Sequence, residues 1–221
     1  MGDRFSSHMK PITSCRLYGI LDTGYVAPES MHEMARMLIM GGIDILQLRA
    51  KKQSAAKILE MALELSPLCH KAGIPFILND HPELVREAGA DGAHVGQDDM
   101  SIVEARRLAG PGSIIGKSTH SPEQARKAIS EAPDYIGFGP LFATPTKPDY
   151  TPIGTDQIRQ IHAELDLPIF CIGGIKLSNL RPVLDAGARR VVIVSDLLAA
   201  DNPVERTASC KALLEDIKFS E

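Results

Sequence analysis

Several things are scarce or missing in this sequence. There are only four cysteines, Cys15, Cys69, Cys171 and Cys210, scattered and without a CxxC pair. That suits free thiols in a reducing cytoplasm better than a disulfide framework, and it argues against a metal–thiolate site. No stretch approaches the roughly 18 uninterrupted apolar residues that a membrane-spanning helix needs. The first ten residues are polar and lack the apolar core of a secretory signal. Residues 1–9 end in Ser6-Ser7-His8-Met9 and are expected to be a leader or expression remnant, with residues 10–221 as a single domain. Basic excess is absent too: the net charge is −4, which implies neither a nucleic-acid surface nor a polybasic membrane patch. There is no long linker and no low-complexity tract.

What is present is a rhythm. Short apolar runs at 17–21, 43–48, 75–78, 92–95, 113–116, 135–138, 168–172 and 190–194 predict strands. Several are rich in Ile and Val without alternation, as expected of strands buried on both faces of a parallel sheet. Amphipathic stretches at 30–40, 54–70, 82–87, 101–108, 122–130, 155–164, 178–185 and 203–217 predict helices between them. Ser121 before Pro122, Thr155 and Ser178 are expected helix caps, and Gly73, Gly89 and Gly187 expected helix stops. Eight alternations of strand and helix favour a closed (β/α)8 TIM barrel over an open doubly wound sheet, whose GxGxxG fingerprint is absent after the first strand.

In such a barrel the active site lies at the carboxyl ends of the strands. The residues expected there are Gln47, Arg49 and Lys51; Asn79 and Asp80; Gln97, Asp98 and Asp99; Ser118, Thr119 and His120; a loop from Gly139 to Lys147; Gly173-Gly174; and Ser195. Arg49 and Lys51 suit an anion, arginine by paired hydrogen bonds and lysine as a point charge. Asp80 and Asp99 read either as helix caps or as two carboxylates for Mg²⁺, which takes oxygen ligands in octahedral geometry. Gly173-Gly174 and Ser195 follow the seventh and eighth strands, where barrels often bind phosphate, although a tight turn would also explain the glycines. His120 reads as a general base or as a helix-start residue. His70, His81, His94 and His162 carry no ligand spacing and are expected to be structural. Together these features predict transfer between two phosphorylated substrates at one barrel mouth, without naming the substrates.

Seven elements in order carry a resemblance. They are Gln47-Leu48-Arg49-Ala50-Lys51; Leu78-Asn79-Asp80; the segment 91–99, DGAHVGQDD; Ser118-Thr119-His120; the segment 137–147, GFGPLFATPTK; Ile172-Gly173-Gly174-Ile175; and Val194-Ser195. The set resembles the thiamine phosphate synthase family from about Leu17 to the last helix. The resemblance implies condensation of a hydroxymethylpyrimidine diphosphate with a thiazole phosphate, giving thiamine phosphate and diphosphate. It implies that Gln47, Arg49, Lys51, Asn79, Ser118 and Lys147 serve the pyrimidine diphosphate. Thr144, Thr146, Gly174, Val194 and Ser195 would line the thiazole phosphate site, and Asp80 and Asp99 would hold one Mg²⁺. The implied partners are small molecules, with no nucleic acid and no membrane, and a homo-oligomer is allowed. His81 stands where the family often has arginine and Lys117 where a small apolar residue is commoner; both are expected near the diphosphate. A related thiazole tautomerase and a non-catalytic thiamine phosphate sensor are the competing functions. The retained carboxylates and cations argue against both.

Overall fold

A computed structural model describes residues 9–97, 99–144 and 151–216. The expected sites Thr146 and Lys147, together with Asp98 and most of the leader, lie outside the described residues. Eight strands close into one parallel barrel in sequence order: β1 Leu17–Asp22, β2 Ile45–Arg49, β3 Phe76–Asn79, β4 Gly92–Val95, β5 Ile114–Thr119, β6 Tyr135–Phe138, β7 Ile169–Cys171 and β8 Val191–Ile193. Closure is made by β1 against β8, with Leu17 beside Val191 and Gly19 beside Ile193. The described helices are α1 Met31–Met40, α2 Ala55–Ala72, α3 Val85–Ala88, α4 Ile102–Ala109, α5 Pro122–Ile129, α6 Ile158–Glu164, α7 Leu177–Asp185, α8 Ser195–Leu198 and α9 Pro203–Asp216. None of them is long and apolar enough to cross a membrane.

Two apolar layers hold the fold. Outward strand residues such as Leu46, Leu48, Leu78 and Ile136 pack with the helices in a large buried cluster. Inward residues Tyr18, Ile20, Ile45, Ile77, Tyr135, Phe170 and Val192 fill the barrel in a second, smaller one. Successive strand residues face opposite sides, so each strand carries both layers and leaves its last inward residue at the mouth.

At the opposite end, an aspartate just before every second strand, through β6, caps the strand before it. Asp44 accepts main-chain N–H bonds from Arg16 and Leu17, each at 2.9 Å. Asp91 does so from Phe76 at 2.8 Å, and Asp134 from Ile115 at 2.7 Å. Asp44 also binds Lys10 and, on α9, Lys211. These bonds satisfy strand-end donors that would otherwise be stranded in a nearly dry layer.

Some expectations shift. Ser121 caps α5 through its side chain, but α6 begins at Ile158 rather than at Thr155, and α7 begins one residue before Ser178. The stretch 82–87 splits into a short 3-10 turn and α3. The largest change is in β5, which runs three residues beyond 116. Ser118 and Thr119 remain strand residues because they pair with Gly137 and Phe138 of β6.

Candidate active site

At the carboxyl ends of the strands the mouth opens into a pocket. Gln47, Arg49, Asn79, Ser118, Thr144, Gly174, Val194 and Ser195 all line it. Its inner wall is apolar and aromatic, with Tyr18, Ile20, Tyr135, Phe170 and Val192. Phe170 meets both tyrosine rings edge-on, with centroids 5.3 Å and 5.5 Å away. A flat ring can rest against this wall while charged groups stay at the rim.

The rim cations are not loose. Arg49 Nη1 lies 2.5 Å from the Asp22 carboxylate, and both side chains are largely buried, at 15% and 5% exposure. Asp22 ends β1, and its other oxygen accepts the Gly24 main-chain N–H at 2.8 Å. The sequence reading missed Asp22. Its signal was parity: it is two residues beyond the inward Ile20, on the same face. Lys51 Nζ is 3.2 Å from Asp80.

Asp80 holds a left-handed backbone, φ +64°, and its N–H donates to the His94 carbonyl at 2.9 Å. Burial pushes its carboxyl above the ordinary range, and the neighbouring Asp99 pushes it further, through its charge and a shared hydrogen bond, against the pull of Lys51. Asp99 accepts the Gly96 N–H at 2.7 Å. Two crowded carboxylates of this kind are what a divalent cation relieves. Among the described residues no group of three or more His, Cys, Asp or Glu is assembled for a metal. A cation between Asp80 and Asp99 would therefore need phosphate oxygens or water to complete its shell.

On the other side of the mouth, Gly173 and Gly174 take φ +99° and +65°, and Ser195 opens the short helix α8. A Cβ on Gly173 would lie 2.4 Å from Pro140 Cα, and one on Gly174 would lie 2.7 Å from Phe142 Cβ. The two glycines let the loop after β7 pack on the loop after β6, which carries Thr144. The sequence did not predict α8, because four residues give too little periodicity to read.

Two placements differ from expectation, those of His94 and Lys117. His94 was expected to be structural, yet its ring lines the pocket and bonds Tyr135 and Ser118. Lys117 does not face the diphosphate region: it is 4% exposed, with Nζ bonded to the Met100 carbonyl at 3.0 Å. Strand alternation sends it outward while Ser118 points in. His81 binds Glu83 at 2.8 Å. His120 lines the pocket and donates from Nδ1 to the Gly139 carbonyl at 2.6 Å.

The four cysteines are buried free thiols. Burial pushes Cys15, Cys171 and Cys210 up to about 12 and Cys69 higher still. None is a thiolate nucleophile at neutral pH.

Comparison with known proteins agrees with this fold. The sequence model of the thiamine monophosphate synthase family matches residues 17–197. A thiamine-phosphate synthase of Halalkalibacterium halodurans is 43% identical over 188 residues, covering 85% of this chain and 89% of that protein. One from Shouchella clausii is 40% identical over 209 residues, covering 94% and 99%. Among solved structures, a thiamine phosphate pyrophosphorylase from Pyrococcus furiosus superposes with a TM-score of 0.85 at 30% identity, covering 93% of this chain and 98% of that one.

Proposed function

The chain belongs to the thiamine monophosphate synthase family, an enzyme of thiamine biosynthesis, and from that premise we propose how its barrel mouth performs the transfer. The substrates are 4-amino-2-methyl-5-(diphosphooxymethyl)pyrimidine and 4-methyl-5-(2-phosphoethyl)thiazole. The observation that carries the reading is convergence: Gln47, Arg49, Asn79 and Ser118 from β2, β3 and β5 share one pocket with Thr144, Gly174 and Ser195.

The pyrimidine ring lies against Ile20, Tyr18 and Phe170, with its diphosphate toward Arg49 and Lys51. The thiazole phosphate sits against Gly174, Val194 and Ser195, and Thr144 and Thr146 serve as further binding residues for it. The bond between the pyrimidine methylene and the diphosphate oxygen breaks, and the diphosphate leaves with the electron pair. The thiazole nitrogen donates its lone pair to the methylene, making the new C–N bond and a thiazolium cation. No side-chain nucleophile is needed, in keeping with the buried, protonated thiols. Arg49, Lys51 and Lys147 stabilise charge that grows on the leaving group, so catalysis is chiefly positioning and electrostatics. Asp80 and Asp99 would hold one Mg²⁺, which when bound supplies further neutralisation of the diphosphate. A cytoplasmic setting suits the reduced thiols.

The test is incubation with both substrates and Mg²⁺, with thiamine phosphate read after oxidation to a fluorescent product. Metal-dependent product supports the reading, and Asp99→Ala should lose most of it while keeping the fold. Turnover of the thiazole phosphate alone would instead mark a tautomerase. Full activity of Asp99→Ala without added metal would refute the metal assignment.

A further inference from the structure

A continuous hydrogen-bonded path crosses the barrel interior beneath the mouth. Gln47 Nε2 donates to the Tyr18 hydroxyl at 2.7 Å. The Tyr18 and Tyr135 hydroxyls are 3.0 Å apart. The Tyr135 hydroxyl is 3.1 Å from His94 Nδ1, and His94 Nε2 is 2.9 Å from Ser118 Oγ. Both ends of the path, Gln47 and Ser118, line the substrate pocket.

The barrel makes room for this path. Gly116 on β5 stands beside Tyr135 on β6, and a Cβ there would lie 2.1 Å from the Tyr135 ring carbon Cζ. Gly137 lies beside Ser118, and the His94 ring passes 3.6 Å from where its Cβ would be. The missing side chain at Gly116 thus admits the Tyr135 ring to the centre of the barrel, while the His94 ring packs at ordinary contact distance over Gly137.

We propose that Tyr18, Tyr135 and His94 form a one-way relay of hydrogen bonds that sets the polarity of both ends, making Gln47 an acceptor and Ser118 a donor toward the substrate. The order follows from counting protons. Burial drives both tyrosines above their ordinary ionisation range, so each keeps one proton to donate. Tyr18 accepts from the Gln47 amide nitrogen, so its proton goes to Tyr135. Tyr135 then donates to His94 Nδ1. A neutral imidazole whose Nδ1 accepts carries its proton on Nε2, which donates to Ser118 Oγ. The serine proton is left for the pocket, where a diphosphate or ring-nitrogen acceptor can take it. At the other end, the amide turned toward Tyr18 by its nitrogen presents its oxygen to the exocyclic amino group of the pyrimidine. Tyr18, Tyr135 and His94 are positioning residues, because they act through Gln47 and Ser118.

The groups named at each end rest on the transferase reading, but the proton order does not, and the test separates the two. In protein labelled with ¹⁵N-histidine, two-bond ¹H–¹⁵N correlation spectra at mildly alkaline pH report which ring nitrogen holds the proton. The His94 signals are those lost in His94→Gln. The relay requires the Nε2–H tautomer; an Nδ1–H tautomer would mean the opposite sense, with Ser118 donating inward, and would overturn the proposal. Tyr135→Phe keeps the ring and removes the central hydroxyl. It should mix the His94 tautomers and lower kcat/KM for the pyrimidine diphosphate at least about tenfold, the scale of one buried polar group losing its partner. KM for the thiazole phosphate should stay within about twofold, since neither end of the relay faces it. Tyr18→Phe should repeat the kinetic effect and serves if Tyr135→Phe does not fold. Wild-type kinetics with an unmoved His94 spectrum in either folded variant would refute the relay. A wild-type protein that makes no thiamine phosphate yet shows the Nε2–H tautomer would refute the transferase reading alone.

Discussion

Asp22→Asn isolates what the ion pair at the mouth does. Asparagine has nearly the same volume, and it retains the oxygen that accepts the Gly24 N–H at 2.8 Å, so the turn after β1 survives. What is lost is the negative charge 2.5 Å from Arg49. Removing one partner of a fully buried pair costs about 3–5 kcal/mol, because the other charge is stranded. Arg49 keeps 15% of its surface exposed, so water recovers part of this and the expected cost is about 2–3 kcal/mol. In a barrel of this size each kcal/mol lowers Tm by roughly 2–4 °C, so the fall should be about 4–12 °C. Two further measurements separate this cause from a general packing defect. The pyrimidine diphosphate brings negative charge back to Arg49, so saturating ligand should raise Tm more in Asp22→Asn than in the wild type. Adding Arg49→Met should restore stability toward wild type, since replacing both partners is often nearly neutral. Denaturant titrations and thermal melts decide it. A loss under about 0.5 kcal/mol, or a double variant no more stable than Asp22→Asn, would refute the reasoning.

Three more outcomes are expected. Gly174→Ala puts a Cβ 2.7 Å from Phe142 and forces a side chain onto φ +65°; KM for the thiazole phosphate should rise at least about tenfold with that for the pyrimidine diphosphate nearly unchanged, and an equal rise for both would count against separate anion sites. Lys147→Ala should melt normally and lose at least about tenfold in kcat, towards the roughly 10²–10³ of a lost transition-state contact; wild-type kcat would leave Arg49 and Lys51 as the diphosphate cations. His162 has a buried Nε2 with no hydrogen-bond partner, and burial, reinforced by Arg189 and Arg190, lowers its pKa from 6.5 to about 4. The unfolded chain therefore takes up the proton first as pH falls, so this contribution is whole above pH 6.5 and is lost between 6.5 and 4. The loss should reach about 2 kcal/mol by pH 5 and be absent in His162→Gln, as urea midpoints at pH 7 and 5 will show; parallel losses in both proteins would exclude His162 as the cause.

The barrel was legible because strands buried on both faces read as apolar runs and because loops recur between them at a steady spacing. The rim was legible as a consequence: once the strands are placed, the mouth must hold whatever follows them. Pairwise facts were not. Asp22 and Arg49 meet from strands 27 positions apart, and nothing local to either marks the other. His94 lacked ligand spacing and so read as structural, although alternation on β4 turns it inward between Ala93 and Val95. Lys117 was misplaced because the strand was ended too early; continuing β5 through Thr119 turns the lysine outward and the serine inward. The relay residues Tyr18 and Tyr135 sit within apolar runs and read only as core. Their hydroxyls gain meaning from neighbours on other strands.

The β1–β8 seam has a consequence for how the protein is made. Leu17 must wait for Val191, and Asp44, which grips the start of β1, must wait for Lys211 on α9. At synthesis rates of about 5–20 residues per second, β8 leaves the ribosome roughly 10–35 s after β1. Throughout that interval one edge of β1 is unpaired, and the interior-facing Tyr18 and Ile20 have no eighth strand beside them. The newborn chain spends those seconds as an open, half-wound sheet with an adhesive margin. A crowded polysome is therefore where this protein is most exposed to mispairing with its own copies.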